Sequence, residues 1–222
     1  MGTPSSNQKF TISTWVKRTG LGANSVICGS DAVGSQATQI YFKDDDTLRM
    51  FDSNSSTDVI TNRKFRDTNG WYHIVIAVDT SLGTASDRIK LYVNGVQETS
   101  FGTSNYSGQN NGWIMTSSGS KFDIGAAEAT NGSKFGYMDG IMSHFHFVDN
   151  QQYNASVFGS TDSTTGEWKI NASPTMTMGN MGFTVLKDGN TYTDQSTNSN
   201  DFSLSGTLTK TEDNPSNVFA TL

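Results

Sequence analysis

Two neighbouring segments decide the fold: Gly70-Trp71-Tyr72-His73-Ile74-Val75-Ile76-Ala77-Val78-Asp79, then Asp87-Arg88-Ile89-Lys90-Leu91-Tyr92-Val93-Asn94-Gly95. Residues 71–78 contain no Gly, Pro, Asn, Asp, Ser or Thr, a run of eight that suits a strand and is short for a helix. Tyr72, Ile74, Ile76 and Val78 alternate with Trp71, His73, Val75 and Ala77. Successive strand side chains point to opposite faces, so both faces here are mostly apolar. This strand is therefore expected at the centre of a sheet and covered on both sides. In the second segment Ile89, Leu91 and Val93 alternate with Arg88, Lys90 and Tyr92, and Asn94-Gly95 follows at once. Asn-Gly accepts the positive φ angles of a tight hairpin, so one strand ends there and another returns.

Working outward, the same period recurs. Phe10, Ile12, Thr14 and Val16 alternate with Thr11, Ser13, Trp15 and Lys17, which predicts a strand with one apolar face. Ile40-Tyr41-Phe42 and Leu48-Arg49-Met50-Phe51 flank Asp44-Asp45-Asp46 and read as a hairpin. Phe122, Ile124 and Ala126 alternate, and residues 141–148 form a further strand. The one helix candidate is a single turn at 155–158 behind Asn154, a natural N-cap. Residues 102–120 and 161–222 are rich in Gly, Ser, Thr and Asn. Trp168, Phe183, Val185, Leu186, Tyr192, Phe202 and Phe219 recur through the second stretch. A solvated linker has no use for so many large apolar groups, so 161–222 is expected as a loop-rich part packed on the same domain, which spans 1–222.

Composition agrees. Ser, Thr, Gly and Asn make up 97 of 222 residues, against 11 Ala, 8 Leu and 4 Glu, which excludes an all-helical protein. The 13 Phe, 7 Tyr and 4 Trp argue against disorder, because each ring can bury a large apolar area. The expected fold class is all-β, a two-sheet antiparallel β-sandwich. Net charge is −6 with no cluster of Lys or Arg, so a nucleic-acid partner is not expected. Cys28 is single and sits in the apolar Ser25-Val26-Ile27-Cys28-Gly29, so it reads as a buried inert thiol with no disulfide. No run approaches 18 apolar residues and the first residues lack a signal-peptide core, so neither membrane insertion nor a leader is expected.

The order of these segments resembles that of laminin-G-like, concanavalin A-like jelly-roll domains. In that family a Trp-x-His strand leads through a hairpin to a Leu-Tyr-Val-Asn-Gly strand. Trp71, His73, Asn94 and Gly95 stand at those positions here. The resemblance extends through residues 10–18, Tyr137-Met138-Asp139-Gly140 with the strand after it, Phe158-Gly159, residues 165–169 and the closing residues 213–222. This ordered set is similar to the version found in structural proteins of tailed bacteriophages, especially of marine bacteria. It implies a non-enzymatic virion component on the particle exterior, a fibre, spike, knob or decoration aiding host attachment. Its expected partners are other virion proteins, further copies of itself and a host surface glycan. Family members usually carry a strand before the Phe10 block, whereas only nine residues precede it here. That departure points to an edge completed by a neighbouring subunit.

Candidate sites fall into four groups. Glucanases of this architecture carry Glu-x-Asp-x-x-Glu or Glu-x-Asp-x-Glu, since retaining hydrolysis needs two carboxylates about 5 Å apart. Glu98, Glu128, Glu167 and Glu212 are scattered and none has Asp two positions later, so no catalytic residue is assigned. Tyr106, Asn110, Asn111 and Trp113 share a Gly- and Ser-rich loop and combine rings with amides, the chemistry that holds sugars; the alternative is that Trp113 packs inward. Asp44, Asp45 and Asp46 offer oxygens to Ca²⁺, the candidate cofactor, or are simply a solvated turn. His73, His144 and His146 are either a three-His metal set or ordinary sheet residues. Asp139-Gly140 reads as structural, marking a bend or bulge before a core strand.

Overall fold

The computed structural model describes residues 1–31, 37–129, 131–187 and 192–216; residues 217–222 of the closing motif, Phe219 among them, lie outside this set. Its strands, numbered in chain order, form two six-stranded antiparallel sheets. The first runs β16 (Phe183–Val185), β13 (Gly140–Asp149), β1 (Lys9–Arg18), β6 (Tyr72–Asp79), β7 (Ile89–Val93), β8 (Val96–Glu98). The second runs β10 (Lys121–Ile124), β2 (Ser25–Asp31), β3 (Ala37–Phe42), β4 (Thr47–Asp52), β5 (Thr57–Lys64), β9 (Phe101–Asn105). Two short ribbons pair β11 (Ala127–Glu128) with β12 (Lys134–Phe135) and β14 (Gly159–Thr161) with β15 (Trp168–Ile170). Phe10, Ile12, Ile74 and Ile76 of the first sheet meet Ile40, Phe42, Leu48 and Met50 of the second in one buried core.

Where the sequence pattern is strong, the elements stand as expected. β6 lies inside the first sheet, between β1 and β7. Asn94 (φ 48°) and Gly95 (φ 80°) form the two-residue turn between β7 and β8, and the Asn94 N–H donates to the His73 carbonyl at 2.9 Å. The 44–46 turn joins β3 to β4, and a single 3₁₀ turn at Ala155–Val157 is capped by Asn154, whose side chain accepts from Ser156 N–H at 3.1 Å. Gly95 has a second constraint from outside the turn: a Cβ there would stand 2.3 Å from the Trp168 ring. Gly95→Ala combines a left-handed backbone with an overpacked contact and is expected to cost about 3 kcal/mol. A urea midpoint within error of the unsubstituted protein would refute this.

Where the pattern is weak, the structure departs from it. β1 is not half-exposed: Thr11, Ser13 and Trp15 are as buried as Phe10 and Ile12. The reason is the chain beyond Asn150, which folds over the outer face of the first sheet. Phe158 and Ala155 pack there with Val75 and Val148, joined by Tyr153, Trp168, Met176 and Met178. β9 occupies part of the stretch read as loop, held by backbone pairing with β5 rather than by apolar alternation. The far edge of β13 is paired by β16 of the same chain.

β13 also carries a bulge. Ser13 pairs with His146 and Trp15 with Ser143, so His144 and Phe145 together oppose Thr14, with His144 at φ 49°. One inserted residue re-aims the side chains around it. Phe145 and Phe147 enter the core, while His144 and His146 lie with ring centroids 6.4 Å apart. Asp139 and Gly140 lie just before this bend. Gly140 pairs with Arg18, where a Cβ would stand 2.4 Å from the Lys17 carbonyl, and Asp139 accepts the Thr19 hydroxyl at 2.6 Å.

Candidate functional site

With its partner's outer face covered, the second sheet supplies the accessible face. The β11–β12 ribbon lies on its β2 side, where Ala127 packs with Val26 and Tyr41. Across β3, β4, β5 and β9 two rows of side chains face outward, and all of them except the buried Tyr41 remain accessible in part. One row is Gln39, Phe51, Asp58 and Asn105; the next is Tyr41, Arg49, Ile60 and Thr103, each residue paired in register with the following one. Outward positions of half-buried strands ordinarily carry polar groups, so the accessible Phe51 ring beside the Arg49 guanidinium forms a distinct surface.

Arg49 organises this ledge. Its Nε and Nη2 donate to the two Asp58 oxygens at 2.7 and 3.0 Å, and its Nη1 donates to the Tyr41 hydroxyl at 2.8 Å. The guanidinium carbon lies 4.8 Å from the Phe51 ring centroid and 5.9 Å from that of Tyr41. The bond to Asp58, against a desolvation penalty, holds the Arg49 pKa above its ordinary value. A bidentate pair is geometrically rigid, and these two side chains are 26% and 28% exposed, so they are both ordered and reachable. The ledge thus offers planar donors and acceptors (Gln39, Arg49, Asp58, Asn105) beside an aromatic face. Sequence reading passed over it because its members are scattered over four strands and meet only through register.

The loop residues chosen from sequence do not make one site. Trp113 is fully buried, edge-on to Phe10 at 5.2 Å, with its indole N–H donating to Ser107 Oγ at 2.9 Å. It is therefore corrected from a surface platform to a core residue. The physical reason is Asp52, a buried carboxylate that accepts from Thr38, from Ser55 N–H and hydroxyl at 2.8 and 2.9 Å, and from Ile114 N–H at 2.8 Å. That network draws the loop into the sandwich. Tyr106 is half-buried edge-on to Phe101, while Asn110 and Asn111 are exposed and anchored through their backbones to Thr80 and Gly108.

The three consecutive aspartates diverge. Asp45 accepts from the Thr47 hydroxyl and N–H at 2.6 and 3.1 Å and pairs with Lys43; the Thr47 hydroxyl bond is the main reason its pKa falls to about 2. Asp46 pairs with the buried Arg18 at 3.1 Å and with Arg66 at 3.0 Å. Burial opposes its charge, but the Arg66, Gly22 and Arg18 donors outweigh it and hold the carboxyl below its ordinary value. Asp44 is exposed. Among the described residues no group of three or more His, Cys, Asp or Glu side chains is placed to hold a metal ion.

The histidines lie beneath the C-terminal cover. His73 Nδ1 accepts the Trp168 indole N–H at 3.0 Å, which leaves its Nε2 to donate to Ser13 Oγ at 2.9 Å. Its ring stacks on Trp15, with centroids 4.7 Å apart. His146 meets Thr184 at 2.9 Å and stacks on Phe158. Burial, with His144 as a like-charged neighbour, pushes the pKa of both His73 and His146 down to about 3. The signature Trp71 is half-buried and donates to Asp213 at 2.9 Å. Of the glutamates, Glu98 pairs with Arg63, Glu128 pairs with Lys121 and Lys134, and Glu167 and Glu212 are exposed on a turn and on the tail.

The family model of the concanavalin A-like lectin/glucanases superfamily, in its laminin G form, matches residues 2–150. No curated protein matches the chain. Similar solved structures include a heptameric SAP-like pentraxin from Limulus polyphemus, at 16% identity, TM-score 0.45 and 66% coverage of each chain. Domain 4 of the extracellular arabinanase AbnA from Geobacillus stearothermophilus, solved with arabinotriose, is 21% identical at TM-score 0.45, over 67% of this chain and 64% of that one. Mouse laminin α1 domains LG4-5 are 12% identical at TM-score 0.45, over 68% of this chain and 39% of theirs. The chain therefore spans about two thirds of the first two and less of the third.

Proposed function

The chain belongs to the concanavalin A-like lectin/glucanases superfamily, and from that premise we propose that it is a non-enzymatic recognition domain that binds glycan on the ledge of the second sheet. The observation that carries this reading is the pair of cross-strand rows around Arg49, Phe51 and Asp58. A sugar presents C–H faces and hydroxyl edges; an aromatic ring beside pre-oriented donors and acceptors suits both. The scattered glutamates, two of them tied up in ion pairs, support a role without glycoside hydrolysis. The ordered motif set supports a place on the exterior of a tailed-phage particle, as a fibre, spike, knob or decoration that assists attachment.

A glycan array with the full chain tests the ledge. Arg49→Ala is expected to weaken the best ligand by about tenfold or more, since losing one charged hydrogen-bonding group costs roughly 1.5–3 kcal/mol, and Phe51→Ala by about tenfold, since it removes the ring on which a sugar face would pack. Circular dichroism of both variants should match that of the unsubstituted protein. Array binding that survives both substitutions, or a chain that binds no glycan, overturns the assignment. Mass spectrometry of purified particles tests the virion role, and absence of the chain from them would refute it.

A further inference from the structure

Eight large apolar side chains are exposed among the described residues, and five of them, Met1, Tyr137, Tyr192, Leu204 and Leu208, surround a single cleft. Scattered exposed apolar groups need no explanation; a concentration of them marks an interaction surface. The cleft measures about 1460 Å³ and lies on the side of the sandwich where β10 and β16 form the sheet edges. Phe122, Ile124, Met138, Met142 and Val185 line one side of it, and the tail at 201–216 lines the other.

That tail is a strap held at two points. At one end Phe202 packs edge-on to Phe183 at 4.8 Å. At the other Asp213 accepts from Lys17 Nζ at 2.6 Å and from the Trp71 indole at 2.9 Å, and Pro215 is buried. Between these anchors every residue is exposed, with Leu204 at 43% and Leu208 at 41%. One face therefore carries both an apolar hole and, among the residues lining it, two exposed leucines. Four lysines and four acidic residues line it, so the patch is neutral on a chain whose net charge is −6.

We infer that this face is a homodimer interface, in which a second copy of the chain inserts Leu204 and Leu208 into the cleft and receives the same residues in return. Self-complementarity is what a two-fold interface requires. Two copies of like charge repel over most of their surfaces, and a neutral patch is where they can approach. Methionine side chains in the cleft adapt their shape to an inserted leucine. The site is separate from the ledge and does not depend on the glycan reading.

Sedimentation equilibrium of the full chain from about 1 to about 100 μM tests the inference. A species of twice the chain mass is expected, persisting at about 0.5 M salt because screening leaves apolar contacts intact. Leu204→Glu and Tyr137→Glu replace side chains that are already exposed, so circular dichroism and glycan binding should be unchanged, and the melting temperature should match that of the unsubstituted protein at dilutions where the latter is monomeric. Each is expected to weaken the dimer by at least about 100-fold, because the lesion occurs twice in a two-fold interface. A chain that stays monomeric throughout overturns the inference, as does a dimer indifferent to both substitutions. Loss of glycan binding in Tyr137→Glu would instead make the cleft a ligand site and equally overturn it. Arg49→Ala should leave the dimer intact, which separates failure here from failure of the ledge.

Discussion

Acidification from pH 7 to pH 4.5 is expected to remove about 5 kcal/mol of folding stability, enough to unfold a domain of ordinary stability. The cause is His73 and His146, buried on the outer face of the first sheet with pKa values of about 3. In the unfolded chain these rings titrate near 6.5, so below that pH the unfolded state binds more protons than the folded one. Stability is therefore fully present above pH 6.5 and falls by about 1.4 kcal/mol per pH unit per histidine on the way down. His144 lies near both rings and Lys187 near His146, and their positive charges add to the effect of burial. The hydrogen bonding fixes the direction as well: Nδ1 of His73 accepts from Trp168, and a proton there would break that bond. Urea midpoints at pH 7, 5.5 and 4.5 check the slope; a flat profile would refute the account.

Ending the chain at Asn150, the last residue of the family match, is expected to abolish cooperative folding although eleven of the twelve main-sheet strands lie before that point. The truncation strips Phe158 and Trp168 from Val75, Val148 and His73, and removes β16 from the edge of β13. It also deprives the buried Asp149 of the Met181 N–H, which it accepts at 3.1 Å. Each large apolar group returned to water costs about 1.5–3 kcal/mol, and the hydrogen bond lost from Asp149, which keeps the Ser5 and Ser6 N–H donors, adds about 1.5–3 kcal/mol more. A handful of such losses matches the whole stability of a domain, about 5–15 kcal/mol. Solubility on expression, dye binding to exposed apolar surface and a thermal melt measure the outcome. A truncated protein that melts cooperatively within a few degrees of the full chain would show that the cover is dispensable.

The contrast between Trp71 and Trp113 shows how far sequence reasoning reaches. Trp71 opens the apolar run read from sequence and stands just before β6, whose alternation, hairpin partner and turn all follow from local pattern. Trp113 sits in a polar stretch, and its burial follows from Asp52 accepting the neighbouring Ile114 N–H across 62 positions of chain, which no local pattern records. The ledge was illegible for the same reason. Gln39, Phe51, Asp58 and Asn105 become neighbours only when four strands adopt one register. Likewise the outer face of β1 read as polar and solvated until residues 151–187 were seen to lie over it.

The sequence by itself determined the all-β class, the central Tyr72–Asp79 strand and the Asn94-Gly95 hairpin, because backbone conformation and side-chain alternation act over a few residues. Tertiary structure alone decided which faces are covered, which aromatic residues are core and which polar groups gather into a site. Those outcomes depend on pairing and burial between residues tens to hundreds of positions apart. Hydrophobic burial is non-directional, so it favours contact without naming the partner; hydrogen-bond register and the fit of the C-terminal cover select it.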